Sequence, residues 1–211
     1  MSDRDTLWNA VHEERRRLAD DLAQISPDQW EVPSLCPGWS VHDVLAHLVD
    51  SASTTRWGFV RQMFAARGDF DRANEAGIER HRAADPRQTL EAFRAVTDLT
   101  RTPPGPLATR LVEAYVHGED VRRPLGIEAA YPPEHVATAL EYMTRTGATF
   151  GGGRERVAGL CLRPVDTDHR LGDGAAVRGS AISLLLAASG RPVDAAELSG
   201  AGAPTLTARR G

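Results

Sequence analysis

The 211-residue chain is 41% hydrophobic and 26% charged, the balance of a globular protein able to bury one large core or two modest ones. Its formal net charge of -4 argues against a nucleic-acid partner, because neutralising phosphates needs a clustered positive excess. Two cysteines, Cys36 and Cys161, are too few for a disulfide scaffold or a cysteine-rich zinc site. No apolar run reaches the length of a bilayer span, the longest covering residues 181–188. No signal-peptide core follows Ser2, Asp3, Arg4 and Asp5, so a cytoplasmic protein with no membrane partner is expected. All 25 basic residues are arginine, the usage of a GC-rich genome.

Leu7, Val11, Leu18 and Leu22 predict a first helix from about Arg4 to Gln24. Ser26-Pro27-Asp28-Gln29 reads as a short capped turn with proline at its first helical position, and Pro33 and Pro37 keep the following segment extended. Ser40 and Asp43 have the spacing of a capping box, which starts a second helix at Val41. That helix is predicted to run past Trp57 to Ala66, with Val41, Val44, Leu45, Leu48 and Ala52 as its buried stripe. His42 and His47 flank this stripe on opposite sides, and spacing does not choose between them. Gly68-Asp69-Phe70-Asp71 reads as a loop.

From Asp85-Pro86, Leu90, Phe93, Val96 and Leu99 outline a third amphipathic helix, closed by Thr102-Pro103-Pro104-Gly105. A fourth uses Leu107, Leu111, Ala114, Tyr115 and Gly118 and stops near Pro124. On it Glu113 and His117, four residues apart, stand one turn above each other and can point at one ion. A solvated surface pair is the commoner fate of that spacing. Four such helices argue for a bundle, a scaffold that can aim ligands inward.

Beyond Tyr131-Pro132-Pro133, a helix is predicted from Glu134 to about Thr146. Gly151-Gly152-Gly153 reads as a linker, since no Gly-Lys-Ser/Thr sequence follows to make it a phosphate cradle. Val157 to Val165 is strand-like around Leu160, Cys161 and Leu162, with a turn at Gly172-Asp173-Gly174. A helix over Ser180 to Ser189 ends at Gly190, and Thr205 to Ala208 reads as a closing strand.

The segment Leu35-Cys36-Pro37-Gly38-Trp39-Ser40-Val41-His42-Asp43-Val44-Leu45-Ala46-His47-Leu48 has a counterpart in Glu113-Ala114-Tyr115-Val116-His117-Gly118-Glu119-Asp120-Val121-Arg122-Arg123-Pro124-Leu125-Gly126. In this order and separation the two resemble the mycothiol-dependent maleylpyruvate isomerase family. The resemblance implies a mainly α fold, a DinB-like four-helix bundle over residues 1–131 followed by a small α+β C-terminal domain over 132–211. It implies an actinobacterial host, where mycothiol is the bulk thiol.

The resemblance further implies a divalent metal, zinc first, held by His47, Glu113 and His117, with coordination positions left open for catalysis. The expected activity is thiolate addition from mycothiol to an electrophilic small molecule, giving cis-trans isomerisation or S-transfer. The other readings are a metal-dependent hydrolase and a non-catalytic metal- or ligand-binding stress protein. Arg191 matches the family's Gly-Arg and is the candidate to stabilise enolate charge, although a helix C-terminus attracts arginine anyway. Asp120 and Arg122 are candidates to support the second ligand helix through hydrogen bonds, a plain surface role being equally open to them. Cys36 is either a nucleophile at a helix start or a small turn residue, the latter favoured. Where the family often has tryptophan after Asp166-Thr167-Asp168, this chain has His169. The expected assembly is a monomer or homodimer.

Overall fold

Side-chain hydrogen bonds set where the first five helices begin in the computed structural model, which describes residues 2–209. Helix α1 covers Asp3–Ala23 and opens with a capping box between Ser2 and Asp5. A tight 3-10 turn at Pro27–Glu31 follows. Helix α2 covers Val41–Ser53, where the Asp43 amide donates to Ser40 Oγ at 3.2 Å and the Ser40 amide donates to Asp43 Oδ2 at 2.9 Å.

The predicted long second helix divides. Thr54 leaves the helical conformation while its hydroxyl donates to the Asp50 carbonyl at 2.8 Å, and Thr55 then caps α3, Arg56–Ala65, by accepting from the Gly58 amide at 3.0 Å. Two adjacent threonine hydroxyls satisfy the groups exposed by the break, so apolar periodicity continues across it without a continuous helix. The predicted loop at Asp69 is also shorter than expected. Its carboxylate caps a further helix, α4, Phe70–His81, accepting from the Arg72 amide at 3.1 Å. Helix α5, Pro86–Val96, begins with Asp85 as cap and proline at the first turn, and α6, Ala108–Leu125, ends at Gly126, whose φ of 68° closes a left-handed cap.

Four of these helices share one core. Leu18 and Leu22 of α1, Val41, Val44, Leu45, Leu48 and Val49 of α2, Leu90 and Phe93 of α5, and Val121 of α6 pack together with Trp30 from the 3-10 turn. At one edge Arg122 of α6 is fully buried against α1, where it meets the Glu14 carboxylate and, at 2.7 Å, Asp21. Burial pushes the Glu14 carboxyl upward and the Arg122 charge opposes that shift. Arg122 therefore ties α1 to α6, and removing it would strand a buried carboxylate.

Backbone contacts divide the chain into two units. The first runs to Arg110 and includes His117–Glu128; the second comprises Leu111–Val116 and the chain from Ala129 onward. In the second, α7, Pro133–Arg145, packs on α8, Ala181–Ala188, and strands β1, Leu160–Pro164, and β2, Ala175–Gly179, pair in parallel with Leu162 opposite Val177. The triple glycine is not a linker. A Cβ on Gly152 would lie 2.0 Å from the Thr146 carbonyl oxygen and one on Gly153 2.2 Å from that of Ala188, so these glycines let backbone pack on backbone. The predicted closing strand is instead helix α9, Ala203–Ala208, with Pro204 in its first turn.

Among the described residues no helix is long and apolar enough to cross a membrane.

Candidate metal centre

The turn before α2 is built to present one aromatic ring. The Ser34 amide and hydroxyl both donate to the Trp39 carbonyl, at 2.9 and 2.8 Å, the Trp39 amide donates to the Cys36 carbonyl at 3.1 Å, and Gly38 takes φ of 81°. The Leu35 amide donates to the Asp120 carbonyl at 3.0 Å, which fixes the turn to α6. Cys36 packs, partly buried, against the bundle core, as a turn residue does.

The two histidines of α2 then separate. His42 is fully buried, its Nε2 2.8 Å from Thr89 Oγ1 and its ring edge-on to Trp30 at 6.0 Å. Burial, with Arg82 next in size, lowers its pKa from 6.5, so it is a neutral core imidazole. His47 faces α6 instead. Its ring centroid lies 4.9 Å from that of His117, and Trp39 packs against both, 5.1 Å from His47 and 6.4 Å from His117.

His117 is further oriented by a carboxylate one turn on. Its Nδ1 lies 2.8 Å from Oδ2 of Asp120, which has no solvent exposure. An ionised carboxylate only accepts, so in the neutral ring the proton sits on Nδ1 and Nε2 keeps the lone pair that could meet an ion. A carboxylate on the Nδ1 side of an imidazole is the support that metal-ligating histidines ordinarily have.

Glu113 stands one turn before His117 on α6, partly buried. Among the described residues, no three His, Cys, Asp or Glu side chains are gathered closely enough to hold an ion. What the fold brings together is thus the imidazole pair and its carboxylate. Two imidazoles are donors of the kind that a divalent first-row ion such as zinc accepts.

In the second unit, Arg191 closes α8. Its amide donates to the Leu186 carbonyl at 2.9 Å after the left-handed Gly190, and its guanidinium donates to the Ser189 carbonyl at 3.4 Å. His169 lies 3.5 Å from the Glu134 carboxylate, and Asp166 accepts from the Ala181 amide at 2.9 Å at the start of α8. The residue that spacing did not single out is Trp39. Its ring sits in a turn rather than on an amphipathic face, so periodicity carries no signal for it; only the glycine-shaped turn before a capping box does.

Residues 11–104 match the mycothiol maleylpyruvate isomerase N-terminal domain family. Two solved structures share the fold: a mycothiol-dependent maleylpyruvate isomerase, at 17% identity, and a histidine-to-alanine mutant of a mycothiol-dependent maleylpyruvate isomerase, at 16%. Each has a TM-score of 0.64 and covers 96% of this chain and 94% of its own. No curated protein matches the chain in sequence.

Proposed function

We propose, for a chain whose residues 11–104 belong to the mycothiol maleylpyruvate isomerase N-terminal domain family, a metal-dependent enzyme that uses mycothiol in isomerisation or S-transfer. The observation that carries this reading is the His47–His117 imidazole pair, 4.9 Å between ring centroids, with Asp120 on His117 Nδ1. His47 and His117 would hold the ion, with Glu113 as the carboxylate ligand offered by its position one turn from His117. When bound, a divalent ion supplies the positive charge that keeps a thiol ionised near neutral pH.

The other contributions come from the chain. Asp120 would orient the His117 ring through Nδ1, leaving Nε2 as the atom for the ion. Trp39 covers one side of both imidazoles, which limits water there and lowers the local dielectric. Neither role needs Cys36, whose place is in the turn. The sulfur nucleophile is supplied by mycothiol and the substrate is an electrophilic small molecule, an alkene conjugated to a carbonyl in the isomerase case. A group that stabilises developing enolate charge is also required. Arg191 is the proposed residue.

Titration of the cobalt(II)-loaded protein with mycothiol tests this reading. A thiolate-to-cobalt charge-transfer band that saturates with thiol is the expected result. Full cobalt loading with no such band at millimolar mycothiol would overturn thiol use and leave water as the nucleophile to be tested.

A further inference from the structure

Helix α3 turns one row of apolar residues outward, while Phe59 on another side packs against Phe70. Trp57, Val60 and Phe64 recur at helical spacing and are 84%, 48% and 86% exposed, and among the described residues of this helix none is buried. At 100° per residue these three share one face, with Arg56 and Arg61 on its two borders. No aspartate or glutamate occurs from Ser51 to Gly68.

The basic border continues into α4. A cleft of about 420 Å³ is lined by Arg61, Arg72 and Arg80 over alanines 65, 66, 73 and 76, with no carboxylate in its lining among the described residues. Arg80 also reaches Asp50 at 2.6 Å. On α4, Arg72, Ala76 and Arg80 are four residues apart and line the cleft, while the exposed Asp71, Glu75 and Glu79 form the neighbouring row about 100° round the helix. The absence of a spanning apolar run, from which no membrane partner was expected, does not bear on a helix that lies on a bilayer surface.

We infer that the α3 face docks on an anionic lipid bilayer surface, with Trp57, Val60 and Phe64 at the acyl boundary and Arg56, Arg61 and Arg72 on headgroup phosphates. An exposed tryptophan and phenylalanine on one face of a helix bordered by arginines is the pattern of an interfacial helix. A second copy of the chain suits the surface less well. A two-fold pair of α3 helices would bring Arg56 and Arg61 of both copies into one small interface, with no carboxylate on either helix to offset them.

Flotation of the full chain with vesicles tests this, using phosphatidylcholine alone and phosphatidylcholine mixed with phosphatidylglycerol. The protein should float with the phosphatidylglycerol vesicles only, less so as salt rises, and with a blue-shifted tryptophan emission that Trp57→Phe removes. Trp57→Ala/Phe64→Ala should weaken partitioning by about tenfold or more, and each of Arg56→Gln and Arg61→Gln by about fivefold. All four positions are exposed, so circular dichroism should show an unchanged fold. The inference is overturned if phosphatidylglycerol vesicles float none of the protein or if the aromatic variant partitions like wild type. A concentration-dependent dimer that the aromatic variant abolishes would also overturn it, by assigning the face to a second copy.

Discussion

Helix α2 buries nine of its thirteen residues, whereas α3, separated from it by only Thr54 and Thr55, buries none among the described residues. Both contain apolar residues at helical spacing and both have a hydroxyl cap. The difference lies in what stands opposite. The α2 stripe meets α1, α5 and Val121 of α6 in a shared core, while Trp57, Val60 and Phe64 face outward. Periodicity reports that a helix has an apolar face; it does not report whether the protein itself supplies the surface that covers it.

This contrast is sharpest in stability measurements. Leu45 is fully buried in the α2 stripe, so Leu45→Ala should cost about 2–5 kcal/mol in denaturant unfolding. A smaller effect is expected at His42. Burial holds its imidazole below the ordinary 6.5, so the folded state keeps it neutral where the unfolded chain takes a proton. The stability it contributes is complete above about pH 6.5 and is lost as pH falls through that value toward the lower folded pKa. His12 is shifted the same way by burial, so the informative quantity is the difference between proteins: wild type should lose more stability than His42→Gln between about pH 7 and pH 5. Equal losses would mean that His42 is not the buried neutral group described above. The smallest effect belongs to α3, where Trp57→Ala should change stability by no more than about 0.5 kcal/mol. A cost as large as that of Leu45→Ala would place Trp57 in a packed environment and erase the contrast.

Much of the bundle was legible because its signals are local. Ser40 and Asp43 announced the start of α2, and Asp85-Pro86 that of α5, through side chains that bond their own backbone. The division at Thr54 and Thr55 was not legible, since the apolar pattern continues through both helices and only the paired hydroxyl bonds reveal the break. Helix α4 escaped because its face is organised by charge more than by apolar residues. The two threonines of residues 205–207 suggested a strand, yet Pro204 in the first turn and Leu206 buried on one side make a short helix. Gly152 and Gly153 looked like a linker because close backbone approach leaves no trace in sequence spacing.

At the candidate centre, the sequence pattern left His42 and His47 equivalent until the family resemblance favoured His47. Their separation is tertiary: Thr89 and Trp30 enclose one, and His117 and Trp39 meet the other. Asp120 was named as a candidate support of the second ligand helix, but its bond to His117, like the place of Trp39, needed the folded chain.

Zinc titration by calorimetry on wild type, His47→Ala, His117→Ala and His42→Gln decides whether the imidazole pair holds an ion. One zinc ion per wild-type chain is expected, with the same binding in His42→Gln and loss of binding in both His47→Ala and His117→Ala while all remain folded. Zinc bound as tightly by His47→Ala and His117→Ala as by wild type would contradict that role.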